Sequence, residues 1–464
     1  MNRYPIANNK FTSSCICRSG ERSGLLWTLG VAAFMVLANP IHAQYLDPET
    51  FSSLGTFNPA SSVVVDMSTR SMTGGSSAAG VMSGTILVFT FDSFTLASGI
   101  SITFANVTDD DDKIAFLSKG NMTLSGNIYA NAATSNPGPG GRRGGVSKSE
   151  YGLGTGGGEG STNGAAGGGF GGAGGNHGYG ALGGPAYGDL SVALAGGSGG
   201  GRSFYSSTIS TGGGGGGGAL ELGALGTITL NSGCNIEAKG AAGSDADLTY
   251  CGDDADAGGS GGGILIHADV VTFNSGANVN AGGGAGGNGD DDGDCPAGDG
   301  GGGGGGGGGR IRIAYGTSGV NNGTATANGG AVDVTENHPG TAGSNGVVQF
   351  VHDANVPVAG PQIDGVNPSS GSVTGGYPVV ITGANLSNGS NVTNVTLCGA
   401  AVASINNQSA TQVVVTAASG PAGERSPGER LADHVRGDPQ ALPAVGQRLE
   451  VTAVRGVVLE RVDD

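Results

Sequence analysis

The sequence predicts an all-β protein built mainly of a glycine-rich parallel β-helix, or solenoid. Three observations predict it. A unit of short strands repeats: Asn231-Ser232-Gly233-Cys234-Asn235-Ile236-Glu237-Ala238 aligns with Asn274-Ser275-Gly276-Ala277-Asn278-Val279-Asn280-Ala281, 43 residues on. Strands too short to bury a core alone, recurring at a fixed period, are the mark of a stacked repeat. Apolar side chains alternate, as in Ile264/Ile266, Val271/Phe273 and Ile311/Ile313, which is the period of a strand. And glycine, 99 of 464 residues, is concentrated where a helix would have to form; each glycine in a helix interior costs about 1 kcal/mol against alanine.

Taken in order, the chain opens with a basic segment carrying Arg3, Lys10, Arg18 and Arg22, then an apolar run from Leu25 to Ala38. That run is too short to span a bilayer and suits a signal peptide. Cleavage is expected between Ala43 and Gln44, so residues 1–43 are read as the signal and the mature chain as exported, with no membrane span. Residues 44–357 are read as the β-solenoid. Val63-Val64-Val65, Thr85 to Phe89, Phe94-Thr95-Leu96 and Ile100 to Phe104 supply opening strands and a cap, and Leu124 to Ala130 is an early copy of the repeat. A cap is needed because an open end exposes unpaired strand edges. Residues 137–188, glycine and alanine with isolated Phe170, His177, Tyr179 and Tyr187, are of low complexity and read as loop-like, a large loop or a glycine sheet. The repeats resume after the seven glycines Gly212 to Gly218, and Arg310-Ile311-Arg312-Ile313 starts a looser unit.

At Pro361 the composition changes. Pro361-Gln362-Ile363-Asp364-Gly365-Val366-Asn367-Pro368-Ser369-Ser370-Gly371 is followed by Gly375-Gly376-Tyr377-Pro378-Val379-Val380-Ile381-Thr382-Gly383-Ala384-Asn385-Leu386. Val395-Thr396-Leu397-Cys398-Gly399 and Gln412 to Thr416 come next. This closely resembles the IPT/TIG family over residues 361–420. The resemblance implies an immunoglobulin-like β-sandwich, with Val379 and Ile381 pointing together into its core. The family continues through another strand pair, whereas here the chain turns at Pro421 into an Arg-rich segment. An incomplete sandwich is therefore expected, with residues 421–464 a disordered charged tail. The glycine repeat is similar in pattern to glycine-rich solenoid regions of large exported bacterial proteins, which often carry such modules. That similarity implies a surface or secreted binding role.

Charge narrows the function classes. The net charge is −17, and no Lys or Arg lies between Lys239 and Arg310. Such a surface repels a phosphate backbone, so no nucleic-acid partner is expected. The matches to G-x-S-x-G at Ser198 and Ser260 lack the helix that a nucleophile elbow needs, and the His residues are scattered singly, without zinc-ligand spacing. No catalytic residue and no organic cofactor is expected.

The acidic turns are the candidate sites. Eleven Asp lie between Asp245 and Asp299 without Lys, Arg or Glu among them. Stacking should bring Asp253, Asp254 and Asp256 near Asp290, Asp292 and Asp294, and calcium, which takes six to eight oxygens, would relieve their repulsion. Cys251 and Cys295 occupy matching turns of successive repeats, so a disulfide between them is expected. Cys234 replaces Ala277 of the next repeat and is read as a buried small residue. The function expected is that of an exported, non-catalytic, adhesin-like or structural protein binding an extracellular glycan or protein surface. The alternative is a β-helix polysaccharide lyase or glycoside hydrolase.

Overall fold

The computed structural model describes residues 45–463 except 110–111, 163, 205–210, 248–252, 291–299, 336–337, 370, 373, 388, 391, 398–399, 420–447 and 455–456. The proposed signal, Cys251, Cys295, Asp292, Asp294 and Cys398 lie outside the described residues. Within them the protein is nearly all β, its one helical turn being the 3-10 turn Pro48–Thr50.

The repeats lie side by side in register. Ala219–Leu230, Gly263–Phe273 and Arg310–Asn321 are consecutive parallel neighbours in one sheet, flanked by Lys113–Ser118 and Met122–Leu124 on one side and Val347–His352 on the other. Asn127–Tyr129, Asn235–Glu237, Asn278–Asn280 and Thr324–Thr326 form the matching parallel ladder of a second sheet. The aligned turns are tied as well: Asn274 Nδ2 donates to Asn231 Oδ1 at 3.2 Å. One alternating set of side chains from both sheets fills a common core, in which Ile114, Leu220, Ile264 and Ile311 form one row and Phe116, Leu222, Ile266 and Ile313 the next. Cys234 is buried in that core, level with Ala277.

Between its strand in the second sheet and its next strand in the first, the chain runs out and back as a pair of glycine runs. Residues 238–244 lead out and 256–262 return, bound by Asp256 N–H to Ser244 O, Gly259 N–H to Ala241 O and Gly262 N–H to Ala238 O. Residues 281–287 and 303–309 repeat the pattern, with Gly303 bound to Gly287, Gly306 to Gly284 and Gly309 to Ala281. The bonding has a period of three. Gly213 and Gly216 donate to Gly145 and Arg142, Gly214 and Gly217 to Ala257 and Ser260, and Gly215 and Gly218 to Thr134 and Ala130. The run 213–218 thus bonds three different neighbours in turn and none of its own residues, which is the habit of a polyproline-II helix. A β-carbon at Gly217 would lie 2.2 Å from Ala238 O, and one at Gly259 2.1 Å from Gly215 O, so only glycine lets the runs approach.

The described residues of 137–188, read as a large loop or a glycine sheet, belong to this lattice. Gly167, Gly168 and Phe170 are buried, Gly168 N–H donates to Gly258 O, and Gly307 N–H donates to Gly168 O. The stretch lacks an apolar alternation because its partners are backbone groups, which no side-chain pattern encodes.

The region 361–463 carries two four-stranded antiparallel sheets. Gln362–Asn367, Pro378–Ala384, Gln412–Thr416 and Ser404–Gln408 make one; Ala400–Ala401, Val392–Leu397, Val457–Asp463 and Arg448–Val454 make the other. Val379, Ile381, Val395, Val413 and Val415 fill the core, so the two residues expected to point inward do so. Arg448–Val454 and Val457–Asp463, expected as part of a disordered tail, pair with each other, and Val457–Asp463 pairs with Val392–Leu397, supplying strands the sandwich was expected to lack. Leu449, Val451 and Ala453 alternate with Glu450 and Thr452, a strand period that the surrounding charge concealed.

Candidate functional site

The acidic turns sit at the far tips of the glycine excursions, because each excursion must reverse there. Two tips touch through backbone: Asp290 N–H donates to Asp253 O at 3.3 Å. The side chains, however, turn to backbone donors. Asp254 is buried, with Oδ1 accepting from Gly301 N–H at 2.9 Å and Oδ2 from the Ser203 hydroxyl at 3.0 Å. Asp256, also buried, accepts Ser203 N–H at 2.9 Å. These carboxylates anchor the starts of neighbouring glycine runs, where a charged acceptor makes a stronger bond than a neutral carbonyl. Burial raises the Asp253 carboxyl above its ordinary range; Lys148 opposes that rise, and Asp247, Asp290 and Asp254 reinforce it. Its Oδ2 is a buried oxygen without a bonding partner. The described residues hold no group of three or more His, Cys, Asp or Glu side chains arranged around a common point; Asp292 and Asp294, two of the expected calcium ligands, lie outside them.

The two G-x-S-x-G serines are lattice ties. Ser198 and Ser260 are fully buried. Ser198 N–H donates to Ser260 Oγ at 2.8 Å, Ser260 N–H donates to Ser198 O, and Ser198 Oγ accepts Gly156 N–H at 3.1 Å and lies 3.0 Å from the Tyr187 hydroxyl. Among the described residues no imidazole bonds either hydroxyl to take its proton, as nucleophilic catalysis requires.

Two arrangements were not legible in the sequence. The first is a cleft of about 460 Å3 between glycine runs, lined by Lys113, Arg142, Leu153, Thr155, Tyr187 and Leu194 among others, with no carboxylate among its lining residues. Its two cations lie 29 residues apart in sequence and share no motif. The second is a buried polar network on the outer face of the first sheet. His267 Nε2 and Glu221 Oε1 lie 2.9 Å apart, and Glu221 Oε1 also accepts Leu46 N–H. The Tyr45 ring packs on His267 at 4.9 Å, and its hydroxyl donates to Asp353, which Arg312 also binds at 2.8 Å. Burial, and then the Asp353 bond, raise the Tyr45 phenol well above its usual value. The network latches residues 45–46 across three strands, a structural role that isolated His, Glu and Tyr in sequence do not announce.

Among the described residues no helix is long and apolar enough to cross a membrane. Residues 361–427 match the IPT/TIG domain family, an immunoglobulin-like β-sandwich. No curated protein and no solved structure matches the chain.

Proposed function

We propose that the protein is exported and non-catalytic, and acts at the cell surface or in the secreted fraction as an adhesive or structural binder of a glycan or protein surface. In this reading the parallel sheets and glycine runs are one β-solenoid, a stiff body that holds its faces and the IPT/TIG domain away from the cell. The observation that carries it is the use made of the polar side chains. Asp254, Asp256, Ser198 and Ser260, the residues most suggestive of chemistry, are buried and engaged with backbone amides. A lattice that consumes its reactive groups as ties suits a scaffold.

The cleft at Lys113, Arg142 and Tyr187 favours the second reading, a polysaccharide lyase or glycoside hydrolase, because a lyase needs a basic side chain beside an acidic sugar. One experiment separates them. The purified mature chain is applied to a glycan array and to whole cells, and incubated with uronate-containing polysaccharides while unsaturated products and new reducing ends are followed. Saturable binding without turnover is expected. Turnover that is lost in Lys113→Gln or Arg142→Gln would establish the enzyme.

A further inference from the structure

Among the described residues, the stack of repeats is closed at one end by antiparallel strands and ends at the other in a strand paired on one side. At the first end, antiparallel strands close it: Val81–Ser83 pairs with Ile86–Phe91, and Ser71–Gly74 and Ala78–Ala79 fold back beside Val63–Asp66. At the other end, Val347–His352 pairs only with Arg310–Asn321 among the described residues. Val347 N–H donates to Gly309 O, and Asp353 N–H donates to Tyr315 O. In a parallel ladder, residues of one parity bond the neighbour and the others face away. Val348, Phe350 and His352 therefore present their amides and carbonyls to the open side. Edge strands are ordinarily protected by charge, proline or a bulge, and Val-Val-Gln-Phe-Val-His has none of these.

The core also ends there. Val348 and Phe350 continue the rows of Ile311 and Ile313, yet Val348 is 44% exposed. The chain that follows leads away from the edge. Val356 packs with Leu265 and Ala314, and Ala359 N–H bonds Leu225 O, back on the Ala219–Leu230 strand.

We propose that this edge pairs with the same edge of a second copy, antiparallel, about a two-fold axis at Phe350. The register follows from the parity. Val348 stands opposite His352 of the second copy and Phe350 opposite its own equivalent, so the three outward residues of each strand exchange N–H···O bonds in mutual pairs. Opposite residues in an antiparallel pair share a face, so the Val348 and Phe350 side chains of both copies meet on the core side and the two cores become one. This self-complementarity selects a second copy as the occupant. The edge carries no charge, but the chain is strongly acidic, −17 over its full length, so association strengthens as salt screens the bodies.

Sedimentation equilibrium of the full mature chain tests this. Twice the chain mass is expected, dissociating on dilution and more stable at high salt, while Val348→Lys is expected to be monomeric. Phe350→Cys is an independent probe. Hydrogen-bonded antiparallel pairs have α-carbons about 5.5 Å apart, within disulfide reach, so oxidation should give a covalent dimer. Cysteine at the exposed Val192 (73% exposed) should not. A monomer under all conditions, a dimer that survives Val348→Lys, or equal cross-linking through either cysteine overturns the proposal.

Discussion

At the scale of single residues, Asp254 and Asp256 act as anchors of the glycine runs. Asp254 accepts one backbone amide and one hydroxyl in a buried setting, and bonds to a charged acceptor contribute about 1.5–3 kcal/mol each. Asp254→Ala should lower stability by about 3 kcal/mol, read as a drop in melting temperature or denaturation midpoint. The drop should be equal in millimolar Ca2+ and in EDTA at matched ionic strength, because the donors are protein groups. A loss that grows with calcium would assign the carboxylate to a metal. Glu150 gives a pH test. Burial would raise its carboxyl, but the Arg143 bond and the amides of Ser147 and Val146 outweigh that and bring it down to about 2 from 4.5. A depressed carboxyl contributes stability above its unfolded value and loses it as pH falls to the folded one. The wild-type chain should therefore lose stability more steeply than Glu150→Gln between about pH 4.5 and 2, and parallel acid melts would refute the assignment.

At the scale of elements, the glycine runs behave as a packed core made of backbone. Their N–H groups are satisfied by neighbouring runs rather than locally, so one added methyl group strikes peptide atoms on a facing run, which side-chain repacking cannot relieve. Gly259→Ala, with its β-carbon 2.1 Å from Gly215 O and 2.6 Å from Gly214 O, should cost about 3 kcal/mol or more. Gly360→Ala, with nothing within 4 Å, should leave the melting temperature nearly unchanged. Equal effects of the two substitutions would show that the runs do not pack as described. The strands were legible because the alternation of Ile264/Ile266 and Ile311/Ile313 reports burial directly. The pairing of Arg448–Val454 with Val457–Asp463 was not, because a tail judged by its charge hid the alternation of Leu449, Val451 and Ala453.

At the scale of the whole molecule, the sequence by itself determined the all-β class, the 43-residue repeat that stacks Asn231 on Asn274, and the IPT/TIG segment. Each rests on side chains whose spacing is itself the signal. Tertiary structure alone decided which backbone partners the described residues of 137–188 take, that Asp254 and Asp256 turn to amides, and that Lys113, Arg142 and Tyr187 line one cleft. It also decided that Tyr45 and Asp353, 308 positions apart, bond to each other. The physical reason is common to these cases. A polyproline-II run has no internal hydrogen bonds, so the partners that stabilise it, as Gly168 does Gly307, lie on distant stretches of chain. In a glycine run no side chain is left to record which stretch that is.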